Sequence, residues 1–180
     1  MRIAISFCLG LSFACSTFAA DNLTLDSAGS KIEFVGTKPG GKHDGGFKEF
    51  KGKAVADHQN PSSSTISIEI DAKSLWSDNS KLTNHLKNAD FFDVRKFPKI
   101  TFQSTKVAMS DDGGTANITG NWTMLGKEVE IEIPAKVKMT SDGMMMTADF
   151  TIDRTKWGMN YGQGKVDNDV KVKASLALKR

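Results

Sequence analysis

Three histidines, His43, His58 and His85, are the side chains here that could ligate a metal or move a proton near neutral pH. Metal ligation needs convergent spacing, such as two histidines four apart on one helix face with a glutamate between. None of the three is so spaced, and only folding could bring two of them together. His43 and His58 fall in polar stretches and His85 stands beside Leu86 in a helical passage, so a structural histidine is the expected role of each. Paired carboxylates for acid–base work could come from Asp90 and Asp93, or from Asp167 and Asp169. Asp90 belongs to a helix exit and Asp167 to a turn. Serines are plentiful, but no G-x-S-x-G elbow occurs. An enzyme needs a nucleophile, a base and an orienting group together. His85, Asp90 and Asp153 are the candidates for titratable groups inside a pocket, and the expectation is no catalytic residue, no metal and no enzyme.

Both cysteines, Cys8 and Cys15, precede the folded part of the chain. Arg2, the apolar run Ile3 to Phe13, and Thr17, Ala19 and Ala20 read as a secretory signal peptide over residues 1–19, cut after Ala19. The apolar run is short of a bilayer span. Ser12, Phe13 and Ala14 make a poor box for lipid attachment at Cys15. Cleavage would leave residues 20–180 as a single domain without a thiol, which excludes disulfides, a cysteine nucleophile and thiolate metal sites. Without Arg2 the chain carries 23 basic and 21 acidic side chains, interspersed, with no basic stripe for nucleic acid.

The elements that must position any site are mostly strands. Ser74 to Val107 holds the one helical passage, around 78–88, with Leu82 and Leu86 four apart on one face, Leu75 and Ala89 near its ends, and Ser77 or Asp78 as N-cap. Phe91, Phe92, Val94 and Phe97 crowd its exit, and Pro98 stops the helix. Such an aromatic exit caps something apolar. Period-two alternation marks strands at Lys31–Thr37, Thr65–Asp71, Lys99–Met109, Thr115–Met124, Glu128–Met139, Met144–Ile152 and Val170–Leu178, with Phe47, Phe50 and Val55 in a further apolar stretch. Lys38 to Gly46, with Pro39 and four glycines, reads as a turn or mobile loop and lacks the pattern of a phosphate cradle. Pro134 marks a bulge or an edge, and Asp153 to Asn168 a longer loop. About eight strands joined by tight turns suggest a sandwich or an up-and-down barrel. The alternating last strand favours closure, since it would otherwise leave a sticky edge unless paired near the start.

Inward faces carry Phe34, Phe102, Trp122, Met124, Met144, Met146 and Phe150. Any one of these is core in most proteins, but methionines and aromatics together also line adaptable apolar pockets. Gly120, Ala148 and Ala174 on the same faces would leave volume for a ligand, and each buried ligand methylene contributes up to about 0.8 kcal/mol.

At these residues the chain resembles the YceI-like periplasmic lipid-binding proteins. The strings are SKIEF at Ser30 to Phe34, HDGGFKEFKG at His43 to Gly52, SL from Ser74, and HLKNADFFDVRKFPKITFQST at His85 to Thr105. ITGNWTMLGKEVEI at Ile118 to Ile131 and FTIDRTKWGMNY at Phe150 to Tyr161 complete the match. The resemblance implies an all-β fold, an eight-stranded antiparallel lipocalin-like barrel with one short helix capping or flanking it. It implies an elongated apolar cavity for a long-chain isoprenoid lipid, polyprenyl or quinone-type, in an exported periplasmic protein with no other cofactor. On that basis Leu82, Leu86, Phe91, Phe92 and Phe97 would close or line the cavity, and Phe34, Phe102, Trp122, Phe150 and Trp157 would form walls. Trp122 and the Met144 to Met146 run would narrow it. Transient membrane contact and a homodimer are the further partners it leaves open. The competing expectation is a non-catalytic, stress-related interaction module with a filled barrel, partnering membrane redox proteins.

Overall fold

Side-chain alternation builds ten strands and one α-helix in a computed structural model that describes residues 20–180. The expected signal at 1–19 lies outside the described residues. The strands are β1 Asp21–Lys38, β2 Gly41–Phe47, β3 Phe50–Ala56, β4 Thr65–Asp71, β5 Leu75–Ser77, β6 Lys99–Met109, β7 Thr115–Met124, β8 Lys127–Thr140, β9 Gly143–Asp153 and β10 Asp169–Lys179. The helix α1 is Ser80–Leu86. Eight strands form the antiparallel ring β1-β3-β4-β6-β7-β8-β9-β10, which β10 closes by pairing back onto β1. The last strand is therefore paired near the start, as its alternation requires.

The 18-residue β1 serves two neighbours on one side. Asp21 to Thr24 pairs with β3, and Ile32 to Lys38 pairs with β2, which in turn carries β5. Its register against β10 breaks between Asp26 and Lys31. Ser30 fills the break: its hydroxyl donates to Asp26 O at 2.7 Å and accepts from Ala177 N–H at 2.9 Å. At the same end the Arg180 guanidinium donates to Asp21 at 2.7 Å, tying the end of β10 to the start of β1.

One seam is only half closed. β8 and β9 pair from Ala135↔Ala148 to Thr140↔Gly143, while Lys127 to Pro134 pairs with β7 alone. The Val137 N–H donates to Gly114 O. Alternation along β8 then turns the amides of Glu128, Glu130, Glu132 and Lys136 toward β9, and at Pro134 that position has no N–H. The pairing stops beside the residue that cannot donate, so Pro134 marks an edge.

Three expectations need correction. Lys38 to Gly46 is not a loop, because only Pro39 and Gly40 turn, between Lys38 at the end of β1 and strand β2. Its glycines serve close approach: a Cβ on Gly45 would lie 2.6 Å from the Phe34 ring, and one on Gly46 would lie 2.6 Å from Ile32 O. The N-cap of α1 is Asn79, whose side chain accepts from Leu82 N–H at 3.0 Å, rather than Ser77 or Asp78. Asp78 instead accepts from Asp44 N–H, and Ser77 bonds Thr83. The helix is shorter than 78–88, and Leu75 is buried in β5 rather than on it. The β7–β8 hairpin turns on Leu125 and Gly126, both left-handed with φ of 55° and 71°, as a two-residue turn between twisted strands demands.

Candidate functional site

The alternating inward faces enclose three cavities in a row along the barrel. The first, of about 100 Å³, lies under α1 and its exit. The second, about 50 Å³, sits at mid-barrel. The third, about 210 Å³, opens at the far end beside Met109, Met139 and Met144. These are voids rather than packing gaps, since one water needs roughly 10–15 Å³ of such space. Ile32, Ile100, Trp122 and Val172 line both the first and the second. Ile66, Ile118 and Met146 line both the second and the third. Trp122 and Met146 are the largest side chains that these neighbouring cavities share.

The upper end is sealed by aromatics from three elements. Phe34 of β1, Phe47 of β2 and Phe92 of the helix exit pack with ring centroids 5.8–6.2 Å apart. Beside them Phe91, His85 and exposed Tyr161 form a second cluster with centroids 5.0–5.1 Å apart. Phe91 lines the first cavity, so this cluster stands on its rim.

Seven of the ten residues expected at the site line a cavity wall: Phe34, Leu86, Phe91, Phe92 and Trp122 in the first, and Phe102, Trp122 and Phe150 in the second. Leu82, Phe97 and Trp157 do not. Leu82 packs on the core from α1. The Phe97 ring lies under the β7–β8 turn, where a Cβ on Gly126 would meet it at 2.7 Å, and Lys96 Nζ sits 5.1 Å from its centre. Trp157 is buried behind the wall, its indole N–H donating to Trp122 O at 2.9 Å. Gly120 leaves no volume either, because the Phe102 ring occupies the space a Cβ would need.

The residue that sequence reasoning missed is Arg154. It is 3% exposed and lines the first cavity. Asp153 caps the short 3-10 helix Arg154–Trp157 by accepting from Thr155, and Gly158 ends it with φ of 87°. That local signal, an aspartate cap before Trp-Gly, turns Arg154 inward beneath the following loop. There Nε, Nη1 and Nη2 donate to the carbonyls of Asp167, Met159 and Val166 at 3.0, 2.6 and 3.3 Å. Burial pulls the guanidinium pKa down and neighbouring Asp153 pushes it back. The Thr155 hydroxyl and N–H hold the Asp153 carboxyl below its usual range. Met159, Val166, Val170 and Val172 complete the wall on this side.

The histidines are each joined to one carboxylate: His43 to Asp78 at 2.9 Å, His58 to Asp21 at 3.0 Å and His85 to Asp90 at 3.0 Å. All three pairs are partly exposed, and they are carried by separate parts of the fold. Among the described residues no three His, Cys, Asp or Glu side chains gather as a metal site. Asp153 is engaged with Thr155 and forms no group with His85 and Asp90.

The fold recurs in solved structures. Burkholderia cenocepacia BcnA superposes with a TM-score of 0.79 at 22% identity, over 87% of this chain and 99% of that one. A polyisoprenoid binding domain from Saccharophagus degradans gives 0.70 at 13% identity, over 87% and 97%. Among curated relatives, a UPF0312 protein of Pseudomonas putida is 38% identical over 55% of this chain and 49% of its own. The YceI protein of Salmonella arizonae is 35% identical over 54% and 50%. The matched segment spans about half the length of these curated relatives. The YceI-like domain matches residues 23–178, nearly the whole barrel from β1 to β10, and the chain belongs to that family.

Proposed function

We propose that this protein is a periplasmic carrier that holds a long-chain isoprenoid lipid, of polyprenyl or quinone type, along the barrel axis. The observation that carries the reading is the row of three cavities inside the barrel, each sharing lining side chains with the next. A side chain can change rotamer to let a chain pass, where a strand could not. The polyisoprenoid binding domain of similar fold supports the choice of ligand. The signal-like N-terminus supports export. Binding here needs no chemistry on the ligand, only burial, at about 0.8 kcal/mol for each methylene before ordering costs.

The test is mass spectrometry of organic extracts from protein purified out of its natural compartment, followed by uptake of added quinone or polyprenol. A co-purified isoprenoid supports the carrier. No lipid in the extract and no uptake afterwards overturns it. The second reading, an interaction module with a closed interior, is favoured by one observation: the interior space is split into separate small cavities, two of which Trp122 lines. That reading expects an empty extract and no uptake.

A further inference from the structure

The wall of the third cavity gathers side chains that are soft-metal ligands by type, a property the carrier reading does not use. Met109 of β6, Met139 of β8, Met144 and Met146 of β9, and His58 of the β3–β4 connection all line this space of about 210 Å³. Met139 and Met144 are cross-strand partners, and on one face of an antiparallel pair the Cβ atoms of such partners lie about 4.5–5.5 Å apart. Met139 is 45% exposed, one of two large apolar side chains left so among the described residues. A methionine that served packing alone would be covered. This one stands where an ion from solvent would arrive.

His58 is arranged as a ligand. Its Nε2 is joined to Asp21 at 3.0 Å, and its Nδ1 has no hydrogen-bond partner among the described residues. Metal-bound histidines share this arrangement: one ring nitrogen donates to a carboxylate, and the other keeps its lone pair for the ion. Asp21 is itself held by Arg180, so the ring is anchored from behind. The carboxylate in the wall, Asp57, is turned to its own loop, where one oxygen accepts from the N–H groups of Gln59 and Asn60. Spacing along the chain hides the cluster, because its members come from four separate segments that meet only at the end of the closed barrel.

We propose that this open end of the barrel binds copper(I), held by the thioethers of Met109, Met139 and Met144 and by Nδ1 of His58, with Met146 as the floor of the site. Thioether sulfur is soft and selects copper(I), and imidazole suits copper as well. Zinc sites are built from thiolate, imidazole and carboxylate, and calcium and magnesium take oxygen ligands, so this set of donors turns those ions away. The three rotatable bonds of each methionine let sulfurs from three strands turn to one point. The proposal does not rest on the carrier reading.

The experiment titrates the purified protein, isotope-labelled at its methionine methyl groups, with silver(I) as a redox-inert probe. Copper(I) affinity is then measured without oxygen by competition with a coloured chelator. One ion per chain is expected. The methyl signals of Met109, Met139 and Met144, each identified by its loss in a single Met→Leu variant, should shift with silver(I) and stay in place with zinc. Met145 follows Met144 on the opposite face of β9, and its signal should not move. Met139→Leu with Met144→Leu keeps the apolar volume and is expected to weaken copper(I) binding by at least about tenfold, the loss that removing even an outer-shell partner brings. His58→Ala is expected to weaken it as well, and Met145→Leu to leave it unchanged. Unmoved signals at the three methionines, an equal shift at Met145, zinc bound as tightly as copper(I), or an unaltered affinity in the double variant overturns the site. Lipid uptake, measured separately, decides the carrier reading whichever way the metal falls.

Discussion

The Trp157 indole N–H donates to the Trp122 carbonyl at 2.9 Å, and the two rings stand 6.2 Å apart at 62°. The bond ties the 3-10 helix Arg154–Trp157 to the middle of β7. It spans the seam where β8 and β9 have parted, and so fixes the loop that carries Arg154 without closing the strands. Backbone pairing and a side-chain hydrogen bond share the work of shutting one barrel.

Replacing Trp157 by Phe keeps most of the buried ring and removes the donor. The Trp122 carbonyl then keeps only its ladder partner on β8. The expected loss is about 0.5–1.5 kcal/mol, read as a lower urea midpoint with an unchanged slope. A variant as stable as the parent would show that this bond does not hold the loop.

Gly120→Ala tests whether Phe102 is held in place by the lack of a side chain opposite. The added Cβ would lie 2.5 Å from Gln103 O and 2.6 Å from Phe102 Cζ. Backbone on one side and a packed ring on the other leave no easy relief. Destabilisation of roughly 1–3 kcal/mol is expected, with the Phe102 ring pushed into the second cavity in a crystal structure of the variant.

Acid titration should report on the Asp21–Arg180 tie. The Arg180 and His58 hydrogen bonds hold the Asp21 carboxyl at about 2, below its ordinary 3.8. A carboxylate depressed in the folded state stabilises fully above its unfolded pKa and loses that contribution as pH falls through the folded one. The melting temperature of Asp21→Asn is therefore expected below the parent's from neutrality down to about pH 4. The gap should narrow below that and vanish near about pH 2. A gap independent of pH would assign the effect to packing.

The unpaired edge of β8 carries Glu128, Glu130 and Glu132, whose like charges oppose strand addition by another chain. Glu130→Val with Glu132→Val removes two of them and makes Val129 to Ile133 a continuous apolar run. Concentration-dependent association beyond the parent's is expected in light scattering. Unchanged association would mean that Pro134 and the strand twist guard the edge without help.

The barrel was legible because period-two alternation is a local property. Ile66, Ile68 and Ile70, or Met144, Met146 and Ala148, state which face turns inward before any partner strand is known. The helix exit was legible because four large apolar residues within seven positions have nowhere to go except over a core. The family strings then implied the barrel topology. Glycine was the least informative residue. In Lys38 to Gly46 it read as a turn, whereas Gly45 and Gly46 make room for Phe34 and for the β1 backbone.

Residue identity and alternation thus settled the strands, the inward faces and most of the cavity wall. They could not say that Phe97 props a hairpin, that Trp157 bonds a carbonyl 35 residues away, or that Arg154 is buried. They also could not show that Trp122 lines two cavities and carries a buried, unpaired N–H. Alternation fixes only the direction in which a side chain leaves its own strand. What it meets there depends on chain segments far away in sequence, which come together only when the sheet closes.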